Sequence, residues 1–80
     1  MHYVYILQSI SNPNEYYTGL TSDIKNRIQT HNSGGVPHTS KFMPWKIIAY
    51  FALDSRDKAA KFEKYLKSGA GREFAKRFFR

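Results

Sequence analysis

Three stretches of the chain carry the aromatic and β-branched residues that are typical of strands. They cover residues 3–7, 16–20 and 45–53. The first two are separated by the turn sequence Ser11-Asn12-Pro13-Asn14, which is rich in residues that favour tight reversals. A short turn between two strands predicts an antiparallel hairpin at the start of the chain.

A helical pattern follows the hairpin. Ile24, Ile28 and His31 lie at the spacing of one helix face. The sequence 21–23 predicts the helix start, with a hydroxyl N-cap and an acid in the first turn, and 32–35 predicts its end. Residues 36–44, with a proline near each end, are expected to form a loop.

A second helix is predicted after the third strand. Ser55 is a suitable cap, and Ala59, Phe62 and Leu66 form an apolar stripe. Gly69 or Gly71 is expected to end this helix, and a short final helix is expected from Arg72. The predicted fold is a single α+β domain over residues 1–80, a three-stranded antiparallel sheet flanked by helices in the order β-β-α-β-α-α.

Composition narrows the classes of function. The chain contains no cysteine, which excludes a disulfide scaffold, a thiol nucleophile and a cysteine-based zinc site. The first residues do not resemble a signal peptide, and no segment is long and apolar enough for a membrane span, so a cytoplasmic location is expected. The net charge is +7, and from Arg56 onward nine basic residues face three acidic ones. This asymmetry favours a polyanionic partner, although a solvated surface would have the same composition.

Several polar residues occupy positions where an apolar core residue would normally be expected. Arg27 and His31 are four residues apart, hence on one helix face, beside Ile24 and Ile28. An arginine on the inward side of a helix needs an anionic partner, and a phosphate meets that need through paired hydrogen bonds. The alternative is an exposed arginine and a half-buried histidine without chemical function.

Glu63 and two tyrosines extend this set. Glu63 adjoins Phe62 and could provide a single hard-oxygen ligand to Mg²⁺ or Mn²⁺, or simply pair with Lys67. Tyr5 and Tyr17 lie on the hairpin strands, where a tyrosine is usually a core residue but could also transfer a proton. We expect the helices and the hairpin to direct these groups toward one face of the sheet.

The ordered set of residues resembles the GIY-YIG nuclease superfamily over about residues 3–67, and most closely its small stand-alone bacterial members. Tyr3-Val4-Tyr5 stands at the first signature and Tyr17-Thr18-Gly19 at the second. Arg27 and His31 match the following Arg-x-x-x-His helix, and Glu63 matches the metal-binding glutamate.

The resemblance implies cleavage of DNA phosphodiesters with one divalent ion, Mg²⁺ or Mn²⁺, held mainly by Glu63. It implies that Arg27 stabilises charge on the phosphate, and that His31 with Tyr5 or Tyr17 orients or deprotonates water. Which tyrosine is the base stays open. The chain departs from several members because Leu20 replaces a lysine and no asparagine follows Asn32.

The leading hypothesis is therefore a metal-dependent endonuclease. Its expected partner is DNA, including branched or damaged DNA, with no membrane and no small-molecule cofactor. The alternatives are a nucleic-acid-binding module that does not cleave and an adaptor that uses Phe78 and Phe79 as a contact surface. Further residues are expected to contact nucleic acid, namely Gly19, Thr39, Lys41, Lys46 and Lys67.

Overall fold

The computed structural model describes all residues of the chain, 1–80, and contains three strands and four helices. The elements are, in chain order, β1 (His2–Ser9), β2 (Tyr16–Thr21), α1 (Ile24–Asn32), α2 (Pro37–Ser40), β3 (Trp45–Leu53), α3 (Arg56–Lys67) and α4 (Gly69–Phe78). The fold class and the order of the major elements agree with the sequence-based prediction. No helix is both long enough and apolar enough to cross a membrane.

The sheet is antiparallel, with β1 in the centre and the strand order β2-β1-β3. Because side chains alternate along a strand, β1 contributes buried residues to both faces of the sheet. Val4 and Ile6 belong to one buried cluster with Ala59, Leu66 and Ala75 of the two C-terminal helices. The opposite face of β1 packs against α1 and the segment that leads into β3.

That opposite face forms a second, smaller cluster. Tyr5, Leu7 and Trp45 are buried there, against Ile24 and Ile28 of α1. The helices therefore cover both faces of the sheet, with α1 on one and the α3–α4 pair on the other. The expectation that α1 and α3 would direct polar groups to the same face was wrong, because the apolar stripe of each helix packs against a different face of the sheet.

Two local predictions also need correction, and a third is confirmed. Helix α1 is capped by Asp23 itself, whose carboxylate accepts from the Asn26 amide at 3.2 Å, so the acid is the cap and not a first-turn residue. Residues 36–44 are not wholly a loop, since the one-turn helix α2 occupies their centre. Ser55 caps α3 as predicted.

The break between α3 and α4 lies at Ser68, before either glycine. The Ser68 hydroxyl accepts from the Gly71 amide at 3.2 Å and thereby caps α4, which begins at Gly69 and not at Arg72. Gly71 is buried where α4 meets the last turn of α3, and a Cβ there would overlap the backbone of Tyr65 and Leu66. Absence of a side chain at Gly71 thus sets how closely the two helices pack.

We predict that Gly71→Ala destabilises the protein, because the backbone of α3 cannot move aside as a flexible side chain could. The expected loss is about 1–3 kcal/mol in the free energy of unfolding, measured by urea denaturation. Gly69→Ala is the matched control, since a Cβ at position 69 would meet no atom within 4 Å. Equal effects of the two substitutions would contradict this account of the α3–α4 contact.

Candidate functional site

Tyr5, Arg27 and His31 meet at the face of the sheet that α1 covers. The Tyr5 hydroxyl lies 2.9 Å from Nε2 of His31, and Nε of Arg27 donates to the same hydroxyl at 3.3 Å. Tyr5 is 2% and His31 0% exposed, so both side chains lie almost wholly inside the protein. Two residues that helical spacing placed on one face of α1 thus converge on one residue of the central strand.

A glycine makes this arrangement possible. Gly19 of β2 is the register partner of Tyr5 in β1. A Cβ at Gly19 would overlap the hydroxyl end of the Tyr5 ring. The Tyr5 ring therefore lies over Gly19, and its hydroxyl extends toward β2, which is a strand at the edge of the sheet. Gly19 supports the position of Tyr5 rather than an exposed contact surface.

The other side of His31 is held by Thr39. Nδ1 of His31 lies 2.9 Å from the Thr39 hydroxyl, which donates to the Val36 carbonyl at 3.2 Å. Thr39 is 1% exposed, and its own carbonyl accepts from the Trp45 indole at 2.9 Å. The expectation that Thr39 contacts nucleic acid was wrong, because its side chain is buried within this hydrogen-bond chain.

The hydrogen bonds define which atoms carry protons. The hydroxyl proton of Thr39 is directed to Val36, so the Thr39 oxygen accepts the Nδ1 proton of His31. Nε2 of a neutral His31 is then an acceptor, and the Tyr5 hydroxyl donates to it. With Arg27 donating to the Tyr5 oxygen, no buried side-chain nitrogen or oxygen is left without a hydrogen-bond partner.

Burial and charge shift the pKa values of all three residues. Burial raises the pKa of Tyr5, although the hydrogen bond from Arg27 opposes the rise. Burial, reinforced by the positive charge of Arg27, lowers the pKa of His31. The hydrogen bond to Tyr5 raises the pKa of Arg27. At neutral pH the cluster thus contains a protonated Tyr5, a neutral His31 and a cationic Arg27.

Tyr17 joins the cluster on its more exposed side. Its ring centroid lies 4.9 Å from that of His31 and 6.4 Å from that of Tyr5, and the proximity of its hydroxyl contributes to the raised pKa of Arg27. Tyr17 is only partly buried, unlike Tyr5. Arg27 therefore donates to the buried Tyr5 hydroxyl and lies near the more exposed Tyr17.

Glu63 approaches this cluster from the other face of the sheet. It lies on α3, next to the apolar stripe, and its side chain is 23% exposed. Its negative charge is close enough to contribute to the raised pKa of Tyr5. This proximity is possible because the Tyr5 hydroxyl extends over Gly19 toward the sheet edge that α3 contacts. Its nearest ionic partner is Lys67, at 3.2 Å.

Glu63 offers a single carboxylate, so a divalent ion held there would keep most of its water. No group of three or more His, Cys, Asp or Glu side chains lies together anywhere in the chain. A closed structural metal site is therefore not supported. A single carboxylate at a partly open position is a suitable donor for Mg²⁺ or Mn²⁺, whose remaining ligands are commonly waters and substrate phosphate oxygens.

The remaining predicted contacts are dispersed. Lys46 is exposed at the start of β3, and the ammonium of Lys41 lies 5.3 Å from the Phe42 ring centroid. Lys67 lies beside Glu63 and so adjoins the site. Of the two phenylalanines assigned to an adaptor surface, Phe78 is exposed, whereas Phe79 packs against Phe51. The adaptor surface is thus smaller than expected.

The chain is thus a small α+β domain with tyrosine, arginine and histidine on one sheet face and a glutamate at its edge. A family model described as the GIY-YIG catalytic domain matches residues 1–76. The chain belongs to the GIY-YIG family.

Its relatives include proteins named UPF0213. One from Halalkalibacterium halodurans is 37% identical over 67 residues, covering 82% of this chain and 69% of that protein. One from Haloquadratum walsbyi is 34% identical over 68 residues, covering 84% and 74%. The solution NMR structure of a UPF0213 protein from Bacillus halodurans matches with a TM-score of 0.56 and 34% identity, covering 95% of this chain and 82% of that one. These likenesses support both the family and the fold.

We predict that His31 makes stability depend on pH. Its pKa in the folded state is lowered, so the unfolded chain binds a proton first as the pH falls. The contribution of His31 to stability is full above about pH 6.5 and is lost progressively as the pH falls from there toward the folded pKa. Urea denaturation across this range should show the loss in the wild type and a smaller one in His31→Gln. His38→Gln, an exposed substitution, is the control, and identical pH profiles for wild type and His31→Gln would refute the assignment.

Proposed function

We propose that this protein is a metal-dependent endonuclease that hydrolyses phosphodiester bonds in DNA. The GIY-YIG domain is a nuclease fold and suggests a nucleic-acid substrate, and nucleases of this superfamily generally use a divalent metal. The observation that carries the proposal is the hydrogen bond from Arg27 to the Tyr5 hydroxyl, which in turn bonds to a neutral His31, with Tyr17 beside them. A cation, a proton donor and a proton acceptor within one hydrogen-bond chain suit hydrolysis of an anionic ester.

Arg27 would bind the phosphate and stabilise the additional charge of the transition state. Its Nε is engaged by Tyr5, and its terminal nitrogens are the groups available to phosphate oxygens. A guanidinium held by hydrogen bonds is already oriented before the substrate binds, which makes it effective against charge that develops during the reaction. Glu63 would hold the divalent ion, which supplies charge neutralisation and in-line orientation at the phosphate.

The proton of the attacking water would leave through Tyr5 and His31. The Tyr5 oxygen can accept that proton as its own hydroxyl proton passes to Nε2 of His31, with Nδ1 held by Thr39. This transfer does not require a free tyrosinate, which the raised pKa of Tyr5 disfavours. Tyr17, being more exposed, would orient the water or the phosphate at the entrance of the site.

We predict that Glu63→Ala and Arg27→Ala each reduce nicking of supercoiled, branched and single-stranded DNA by at least about 100-fold, in Mg²⁺ or Mn²⁺. The matched controls are Glu73→Ala and Arg56→Ala, which remove the same groups from exposed positions on α4 and α3. Circular dichroism would verify that all variants are folded.

Two outcomes would count against an enzyme. Wild type and variants that are equally inactive on every substrate would exclude the nuclease proposal. Salt-sensitive DNA binding that survives Glu63→Ala without any cleavage would instead favour the non-catalytic binding module, because such a module needs cations but no metal ligand.

We further predict that Tyr5→Phe reduces cleavage by at least about 100-fold, whereas Tyr17→Phe reduces it by about tenfold. The reason is that only the Tyr5 hydroxyl bonds directly to Nε2 of His31. Activity of the wild type should persist at about pH 6.5 and fall only at lower pH, because the lowered pKa keeps His31 neutral until then and a protonated His31 cannot accept a proton. Tyr50→Phe, on the exposed neighbour of Tyr5 in β3, is the control. A larger loss in Tyr17→Phe would identify Tyr17 as the proton acceptor instead.

A further inference from the structure

A groove of about 420 Å³ lies on the face of the sheet opposite α1. It runs between the edge strand β2 and the two C-terminal helices. Its floor is apolar and formed by Ile6, Leu66 and Ala75, all of which belong to the larger core cluster. The groove is therefore a fixed feature of the packed core, since its floor cannot move without disturbing the sheet and both helices.

The rim of the groove is cationic. Lys67, Arg72 and Arg80 line it, together with a single acidic residue, Glu15. Arg72 and Arg80 form no ion pair with any carboxylate of the chain, unlike Lys58, Lys61 and Lys67. Unpaired guanidinium groups around a concave surface complement a phosphate-bearing ligand.

An aromatic side chain, that of Tyr16, also lines the groove. The guanidinium carbon of Arg80 lies 3.9 Å from the ring centroid of Tyr16. The Tyr16 hydroxyl accepts from Gln8 at 3.2 Å, and Gln8 also donates to the Pro13 carbonyl at 3.0 Å, so the ring is held in place. A flat surface made of a tyrosine and an arginine, above an apolar floor, is suited to stacking against a nucleobase.

The groove and the candidate catalytic site share residues of β2 and α3. Tyr17 and Lys67 line the groove. The same Tyr17 contacts His31, and the same Lys67 pairs with Glu63. A strand whose phosphate lay at Arg27 and Glu63 could therefore pass over the edge of β2, which carries the Tyr17 ring on one face and borders the groove on the other, and enter the groove.

We propose that this groove binds a single-stranded segment of nucleic acid adjacent to the bond that is cleaved. Its volume lies at the lower end of the range for ligand pockets, roughly 300–1,000 Å³, which suits a nucleotide of an unpaired strand and not a duplex. Stacking and phosphate contacts do not distinguish one base from another, so the groove would recognise that the strand is unpaired and not its sequence. The inference rests on the proposed function for the location of the cleaved bond, whereas binding in the groove is independent of cleavage.

The test measures binding of a short fluorescent oligothymidylate by anisotropy, in EDTA so that metal-dependent cleavage does not interfere, over a series of salt concentrations. Arg72→Ala and Arg80→Ala should each weaken binding and lower the slope of log affinity against log salt by about 0.7, the value for one lost contact with a single strand. Tyr16→Ala should weaken binding by roughly tenfold through lost stacking. Arg77→Ala, an exposed cation of α4 outside the groove, is the matched control and should leave the slope unchanged.

The results separate this inference from the nuclease proposal. Weaker binding in the groove variants supports the inference even if no DNA is cleaved under any condition. Groove variants that match Arg77→Ala in affinity and slope would overturn it, even for an active nuclease. Binding of a duplex of equal length with the same affinity and the same dependence on Tyr16 would also overturn it, because the ligand would then not be an unpaired strand.

Discussion

The structure is organised around His31, a histidine with no exposure to solvent at all. A buried imidazole is tolerated only where both nitrogens are bonded, because an unsatisfied one would cost about 1–3 kcal/mol in a protein of marginal stability. Tyr5 supplies one partner and Thr39 the other. These two bonds join the central strand, helix α1 and the segment before β3. Displacement of any one of these elements would leave a polar group buried without a partner.

The same requirement explains why residues 36–44 are ordered. Thr39 can hold His31 only if its own backbone is fixed, and the one-turn helix α2 and the indole of Trp45 provide this. Trp45 is anchored in turn by Asn32, whose side chain accepts from its amide at 2.6 Å and donates to its carbonyl at 3.0 Å. Asn32 thus connects the end of α1 to the start of β3. A small core on this side of the sheet is stabilised largely by directed hydrogen bonds, in which each group depends on the next.

The regular elements were predictable from sequence because their signals are local. Strand β3 and the cap of α3 coincide with the prediction, since alternation and capping depend on neighbours in the chain. That Arg27 and His31 share one face of α1 followed from helical spacing, whereas their meeting at the Tyr5 hydroxyl did not. Burial of Thr39 did not, because a short polar segment between prolines resembles any surface loop until its partner His31 is known to be buried. The role of Gly71 was misassigned for a similar reason, since a glycine that permits close helix packing and one that ends a helix look identical in sequence.

The proximity of Glu63 to the tyrosine cluster could not be predicted from the faces of the helices alone. Helices α1 and α3 lie on opposite sides of the sheet, so Arg27 and Glu63 would ordinarily be separated by its full thickness. The sheet has only three strands, however, and Gly19 removes the side chain that would otherwise keep Tyr5 away from its edge. The edge of β2 thereby becomes the place where both faces meet. A narrow sheet with a glycine at one register position can bring groups from its two sides together, and it also joins the polar cluster on one face to the cationic groove on the other.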